Sequence, residues 1–128
     1  MGAAYEDPVR GFVNSQYLPA NAIANGAKNV QVKVINAPSL IMLIQANGSV
    51  TIDKIGKNGA LANFVGNTAT GNSNIALDAA TVAVSATFAV KLYGFPPGKP
   101  GSKPGDAFTD VLVIWNAGVH AFQNPTGQ

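Results

Sequence analysis

Charge is what this sequence has least of. Asp, Glu, Lys and Arg together make up 11% of the chain, against 47% apolar residues, where a soluble domain carries roughly 25% charged residues. Eight basic and six acidic side chains leave a net charge of +2. That is too little for the sustained basic footprint of a nucleic-acid binder. Cysteine is absent, which excludes a disulfide framework, a thiolate zinc site and a thiol nucleophile. Long apolar runs are missing too: residues 40–44 (Leu-Ile-Met-Leu-Ile) are a run of five, against the ~18 residues of a membrane-spanning helix, so no membrane partner is expected. The opening residues, Met1 to Pro8, lack the basic and apolar regions of a secretion signal. Glu6 stands where a myristoylation motif on Gly2 wants Ser or Thr.

Catalytic constellations are equally scarce. The single histidine, His120, lies between Val119 and Ala121 and reads as a partly buried polar group or a contact residue, since one imidazole with few carboxylates makes no metal site. No Gly-x-Ser-x-Gly elbow accompanies it, so a serine triad with Asp106 or Asp110 is not expected. Glu6, Asp7, Asp53, Asp78 and Asp106 fall at turns or strand ends, where carboxylates cap backbone groups. Asp110 lies inside a strand pattern and reads as an edge charge. The glycines form no phosphate-binding loop: Gly94-x-x-x-Gly98-Lys99-Pro100 lacks both the spacing and the Ser/Thr. Asn47-Gly48-Ser49 is formally a glycosylation sequon, but in a tight turn of a chain with no secretion signal it carries little weight. The expectation is a protein that is not an enzyme and has no cofactor.

Small neutral residues take the place of charge, with thirteen Asn against eight Lys plus Arg. A surface of this kind has few charges to desolvate and few long side chains to immobilise, so it suits burial against other protein. Along the chain, residues 1–27 show no clean period. Pro8, Pro19 and Asn25-Gly26 punctuate short apolar pieces, and the stretch reads as an irregular arm. Its anchors are Tyr5, Phe12, Tyr17 and Leu18, and it either docks on a partner or wraps its own domain.

A β domain is expected over residues 28–122. Val30, Val32 and Val34 alternate with Gln31 and Lys33 over residues 28–35, the mark of a half-buried strand. Residues 40–46 read as a strand covered on both faces. Asn47-Gly48 then predicts a tight hairpin into a strand over 49–55, and a further strand follows over 60–65. The longest alternation is residues 80–93, with Val82, Val84, Ala86, Phe88, Val90 and Leu92 on one parity, too long for one straight strand. Residues 94–106 form a Pro/Gly/Lys loop, read as a projecting contact through Phe95, Lys99 and Lys103. Residues 108–115 read as a central strand ending at Trp115, which packs in the core. A short pairing over 119–122 and a tail over 123–128 complete the chain. The class is all-β: an antiparallel sandwich or small barrel of about seven to eight strands.

In general character (small, all-β, cysteine-free, poor in charge, rich in Ala, Gly, Asn and Thr, with an irregular arm) the chain resembles the head decoration, or cement, proteins of tailed bacteriophages. The resemblance covers the whole chain and is one of composition. It implies a virion protein made in the host cytoplasm, self-associating with a trimer favoured, and bound to the major capsid protein so as to bridge capsid subunits. A tail-tube subunit, a minor capsid component or a fibre-base component shares the same composition. From another class, a carbohydrate-binding β-sandwich module is the alternative, although Trp115 and three tyrosines make a poor sugar platform.

Overall fold

A computed structural model describes residues 2–35, 37–67, 69–98 and 102–118. The expected pairing over 119–122, the tail 123–128, and the candidates His120 and Lys99 lie outside them. Among the described residues the protein is all-β, with nine strands in three antiparallel sheets and two single 3-10 turns. The chain divides into two compact units, Met1–Asn36 with Val65–Asn74, and Ala37–Phe64 with Ile75–Gln128. The boundary therefore differs from the expected one after residue 27.

The first unit holds a three-stranded sheet in the order β2-β1-β3, from β1 (Gly2–Asp7), β2 (Gly11–Ser15) and β3 (Lys28–Lys33). The expected irregular arm is thus a hairpin plus a turn. Its cause is Asp7-Pro8-Val9-Arg10-Gly11. The Asp7 carboxylate accepts the backbone N–H of Val9 at 2.9 Å and of Arg10 at 2.8 Å, Pro8 cannot donate, and Gly11 takes φ 75°, a conformation that favours glycine. Ala3 and Tyr5 alternate into the buried side of β1. The β1–β3 register shifts between Ala4 and Glu6, where Asn29 adopts φ 51° and its amide donates to Glu6 Oε2 at 2.8 Å. The extra residue is a β-bulge. Of the predicted half-buried strand, Val30 is half-buried, but Val32 and Val34 are exposed.

The second unit is built on a four-stranded sheet, order β4-β9-β8-β5: β4 (Met42–Gln45), β5 (Asn58–Gly59), β8 (Val90–Gly94) and β9 (Asp110–Trp115). A two-stranded ribbon pairs β6 (Leu61–Ala62) with β7 (Ala76–Leu77). One sheet face, with Leu77, Val50 and Val82, forms a core of Ala46, Val50, Leu77, Val82, Val90, Leu92, Val111 and Val113. The strand ending at Trp115 is internal, as expected, and Trp115 packs half-buried against that core.

Three expectations are corrected. There is no Asn47-Gly48 hairpin, because β4 pairs with the distant β9. Asn47 is held elsewhere: its backbone N–H donates to Leu77 O at 2.9 Å, and its side-chain oxygen accepts from Ala79 N at 3.0 Å. Residues 49–55 do not continue as a strand. The Thr51 hydroxyl donates to the Asp53 carboxylate, and the chain turns through a 3-10 turn over Ile52–Lys54. The alternation over 80–93, expected to be too long for one straight strand, is interrupted. Asp78 caps Ala80 N at 3.2 Å, Ala79–Thr81 forms the other 3-10 turn, and Asn116 Nδ2 bonds Ala86 O at 2.9 Å and Phe88 O at 2.7 Å. Only Val90–Gly94 remains as strand. Short polar side chains bonding nearby backbone compete with the ladder, and here they win. The expected strand over 60–65 is likewise reduced to Leu61–Ala62.

Candidate functional site

Of the expected contact residues within the described stretches, Tyr5, Phe12, Tyr17 and Leu18 belong to the first unit and Phe95 and Lys103 to the second. Tyr5 is 4% exposed and belongs to the interior of the first unit, which takes it out of any docking surface. Tyr17 and Leu18 are half-buried. The ring of Tyr17 lies so close to Gly71 that a Cβ there would fall inside it. Gly71 takes φ 71° in a loop closed by Asn67, whose side-chain oxygen accepts the N–H of Ala69 at 2.9 Å and of Thr70 at 3.2 Å. Tyr17 is therefore committed to its own unit. Of the four in the first unit, Phe12 alone is exposed, at 74%, on β2.

The described residues of the Pro/Gly/Lys segment are held to the second unit. Phe95 packs half-buried on the second unit's core. Ser102 is buried, and its hydroxyl accepts Asp110 N at 2.7 Å. Asp106 Oδ2 accepts Lys103 N at 2.6 Å, Gly105 N donates to Val50 O at 2.9 Å, and the Thr109 hydroxyl donates to Asp106 O at 2.9 Å. The Lys103 side chain stays exposed. Asp110, expected as an edge charge, is buried at the start of an internal strand.

Among the described residues, each unit presents an open apolar surface. In the first unit β2 is a sheet edge. It contains no charged residue, and Phe12 and Val9 beside it are 74% and 91% exposed. The opposite edge, β3, carries Lys28 and Lys33 and the Asn29 bulge, the usual guards against strand addition. β2 has no such guard. In the second unit, the register puts Leu43 opposite Leu112 and Lys91 opposite Ile114 on the face turned away from the core. Leu43 is 54% exposed, and Ile41 and Tyr93 of the same parity are exposed too. The continuous apolar run over 40–46 reads as a strand covered on both sides, so this exposed face is not visible in the sequence.

Titratable groups are sparse and structural. The N–H groups of Arg10 and then Val9 hold the Asp7 carboxyl below its ordinary value of 3.8. The Thr51 hydroxyl, aided by Lys57, does the same for Asp53. Lys57 Nζ lies 3.4 Å from Asp53, an exposed pair of small energetic weight. Among the described residues no three His, Cys, Asp or Glu side chains gather as metal ligands, and no helix is long and apolar enough to cross a membrane. A cleft of about 340 Å³ in the first unit is lined by Tyr5, Asp7, Val9, Arg10, Pro19, Ala22 and Asn25. No protein-family model matches the chain, and no curated protein or solved structure matches it either.

Proposed function

We propose that this chain is a non-enzymatic structural subunit that works by assembling with copies of itself and with a larger protein shell, as a capsid decoration protein of a phage head does. The single observation that carries the proposal is the charge-free open edge β2 with Phe12 and Val9 exposed beside it. Each large apolar side chain of this kind contributes about 1.5–3 kcal/mol when removed from water. Every second residue of an edge strand also turns its N–H and C=O outward for a further strand. The apolar outer face around Leu43 and Tyr93 supplies a second surface. Several weak contacts repeated over a lattice give avidity without any one being strong, and copies bound only to the assembled shell stabilise it by mass action.

The decoration role, the major capsid protein as partner and the virion as location rest on the compositional resemblance together with these surfaces. A tail-tube subunit whose strands join across subunits would call for a long strand over 80–93, and that stretch is interrupted by turns. The test is sedimentation velocity of Phe12→Lys and Leu43→Lys beside the wild type. Both variants are expected to keep the wild-type circular dichroism, because both side chains are already exposed, and at least one is expected to sediment as a smaller species. If both matched the wild-type mass, these surfaces would not be the assembly surfaces. Binding of the wild type on a glycan array, with its mass unchanged by either substitution, would favour the carbohydrate-binding module instead.

A further inference from the structure

The chain holds three Asn-Gly pairs, Asn25-Gly26, Asn47-Gly48 and Asn58-Gly59, and the structure treats them very differently. Asn-Gly is the dipeptide most open to spontaneous deamidation, because glycine has no Cβ to obstruct ring closure. In that reaction the backbone nitrogen of the glycine loses its proton and attacks the Asn side-chain Cγ. The Cγ–NH₂ bond breaks and ammonia leaves, giving a five-membered succinimide. Water then opens the ring at either carbonyl, leaving Asp or isoaspartate. The sum is amide plus water to carboxylate plus ammonium, with no change of oxidation state. The reaction needs a side chain free to swing onto the backbone, a local backbone able to move, and water.

We infer that Asn25-Gly26 is a site of spontaneous deamidation in the folded protein, and that the fold shields the other two pairs. Asn25 and Gly26 are both exposed, and the Asn25 side chain makes no hydrogen bond among the described residues. Gly26 takes φ 90°, and its N–H is held by one turn bond, to Ile23 O at 3.0 Å. Asn47 is gripped at both side-chain atoms, the oxygen by Ala79 N at 3.0 Å and the nitrogen by Asp78 Oδ1 at 3.4 Å. A Cβ at Gly48 would lie 3.3 Å from the Ala79 methyl. Asn58 is half-buried, its side-chain nitrogen donates to Ser85 O at 2.6 Å, and its backbone is bridged to Ala83 on one side and paired with β8 on the other. Gly59 is buried. Conversion at Asn25 places a new carboxylate on the cleft wall that Asp7 and Arg10 also line.

The experiment incubates the full chain in mildly alkaline buffer at physiological temperature, with a denatured sample beside it. Peptide mass mapping follows the amide-to-acid increment at each Asn, and electron-transfer fragmentation separates Asp from isoaspartate. Asn25 is expected to convert first, slowed against its denatured rate only by the turn bonds of Asn25, Gly26 and Ala27 to Asn21, Ile23 and Ala22. Asn47 and Asn58 are expected to run about tenfold or more below theirs, the factor for a protective contact that must open first. Asp78→Ala, which removes one hold on Asn47, is expected to speed Asn47 and leave Asn25 unchanged. Conversion led by Asn47 or Asn58, equal native rates at all three sites, or no native conversion at Asn25 would overturn the inference.

Discussion

Thr109→Val probes how the Pro/Gly/Lys segment is fixed to the second unit. Thr109 is 0% exposed, and its hydroxyl does two jobs. It accepts the N–H of Val50 at 3.0 Å and donates to Asp106 O at 2.9 Å. Valine has the same shape and no hydroxyl, so the substitution leaves the Val50 N–H buried without a partner. That costs about 1–3 kcal/mol, and the extra buried methyl returns at most about 0.8 kcal/mol. A net loss of about 1–2 kcal/mol is expected. Thr109→Ser keeps the hydroxyl and removes only a methyl, for a loss of about 1 kcal/mol. Stability alone separates these two poorly. Urea unfolding is therefore paired with amide exchange: the Val50 N–H should lose protection in the Val variant and keep it in the Ser variant. A Val variant as stable as the wild type, with Val50 still protected, would refute the reasoning.

Three further outcomes follow from other parts of the molecule. A Cβ at Gly59 would lie 2.7 Å from Leu77 Cδ1 and 3.3 Å from Val82 Cγ2, so Gly59→Ala is expected to cost about 1–3 kcal/mol and Leu77→Ala about 2–5 kcal/mol. The double variant, in which the new methyl meets the vacated space, should fall short of the sum by at least about 0.5 kcal/mol in a thermal-unfolding cycle; strict additivity would contradict this packing. Gly71→Ala, at φ 71° and against the Tyr17 ring, should lose about 1–2 kcal/mol from the backbone alone and shift the Tyr17 ring resonances. The Asp7 carboxyl lies below 3.8 in the folded chain, so its support of the hairpin is fully present above that value. It is lost as pH falls through the lower folded value, and the Val9 and Arg10 amide resonances should titrate together with a midpoint below 3.8.

The all-β class was legible because Gly, Pro and Asn turns separate short apolar runs and no helical period competes with them. Residues 28–33 and 110–115 were legible as strands for the same reason, although Asp110 is no edge charge, because β9 is flanked on both sides by β4 and β8. The hairpin at 2–15 escapes a reading by periodicity even though its signal, Asp-Pro-x-x-Gly, stands in the sequence. With so little alternation around it, the turn reads as mere punctuation. The Asn47-Gly48 error has the opposite cause: a strong local turn signal was overridden by long-range pairing of β4 with β9, which no local pattern encodes. The alternation over 80–93 misled because Ala, Ser and Thr satisfy a period of two while also forming side-chain turns. One practical consequence concerns truncation. Removing residues 1–24 takes β1 and β2 away and leaves β3 without its partner, so a loss of attachment after that cut does not isolate a docking role. Substitution at Phe12 does.

The measurement that bears most directly on the assembly reading is the solution mass of the purified wild-type chain, by size-exclusion chromatography with light scattering over a concentration series. A closed oligomer is expected, with a trimer near 39 kDa as three times the 13.1 kDa chain, that Phe12→Lys or Leu43→Lys reduces. A mass of 13.1 kDa at every concentration would overturn the assembly reading.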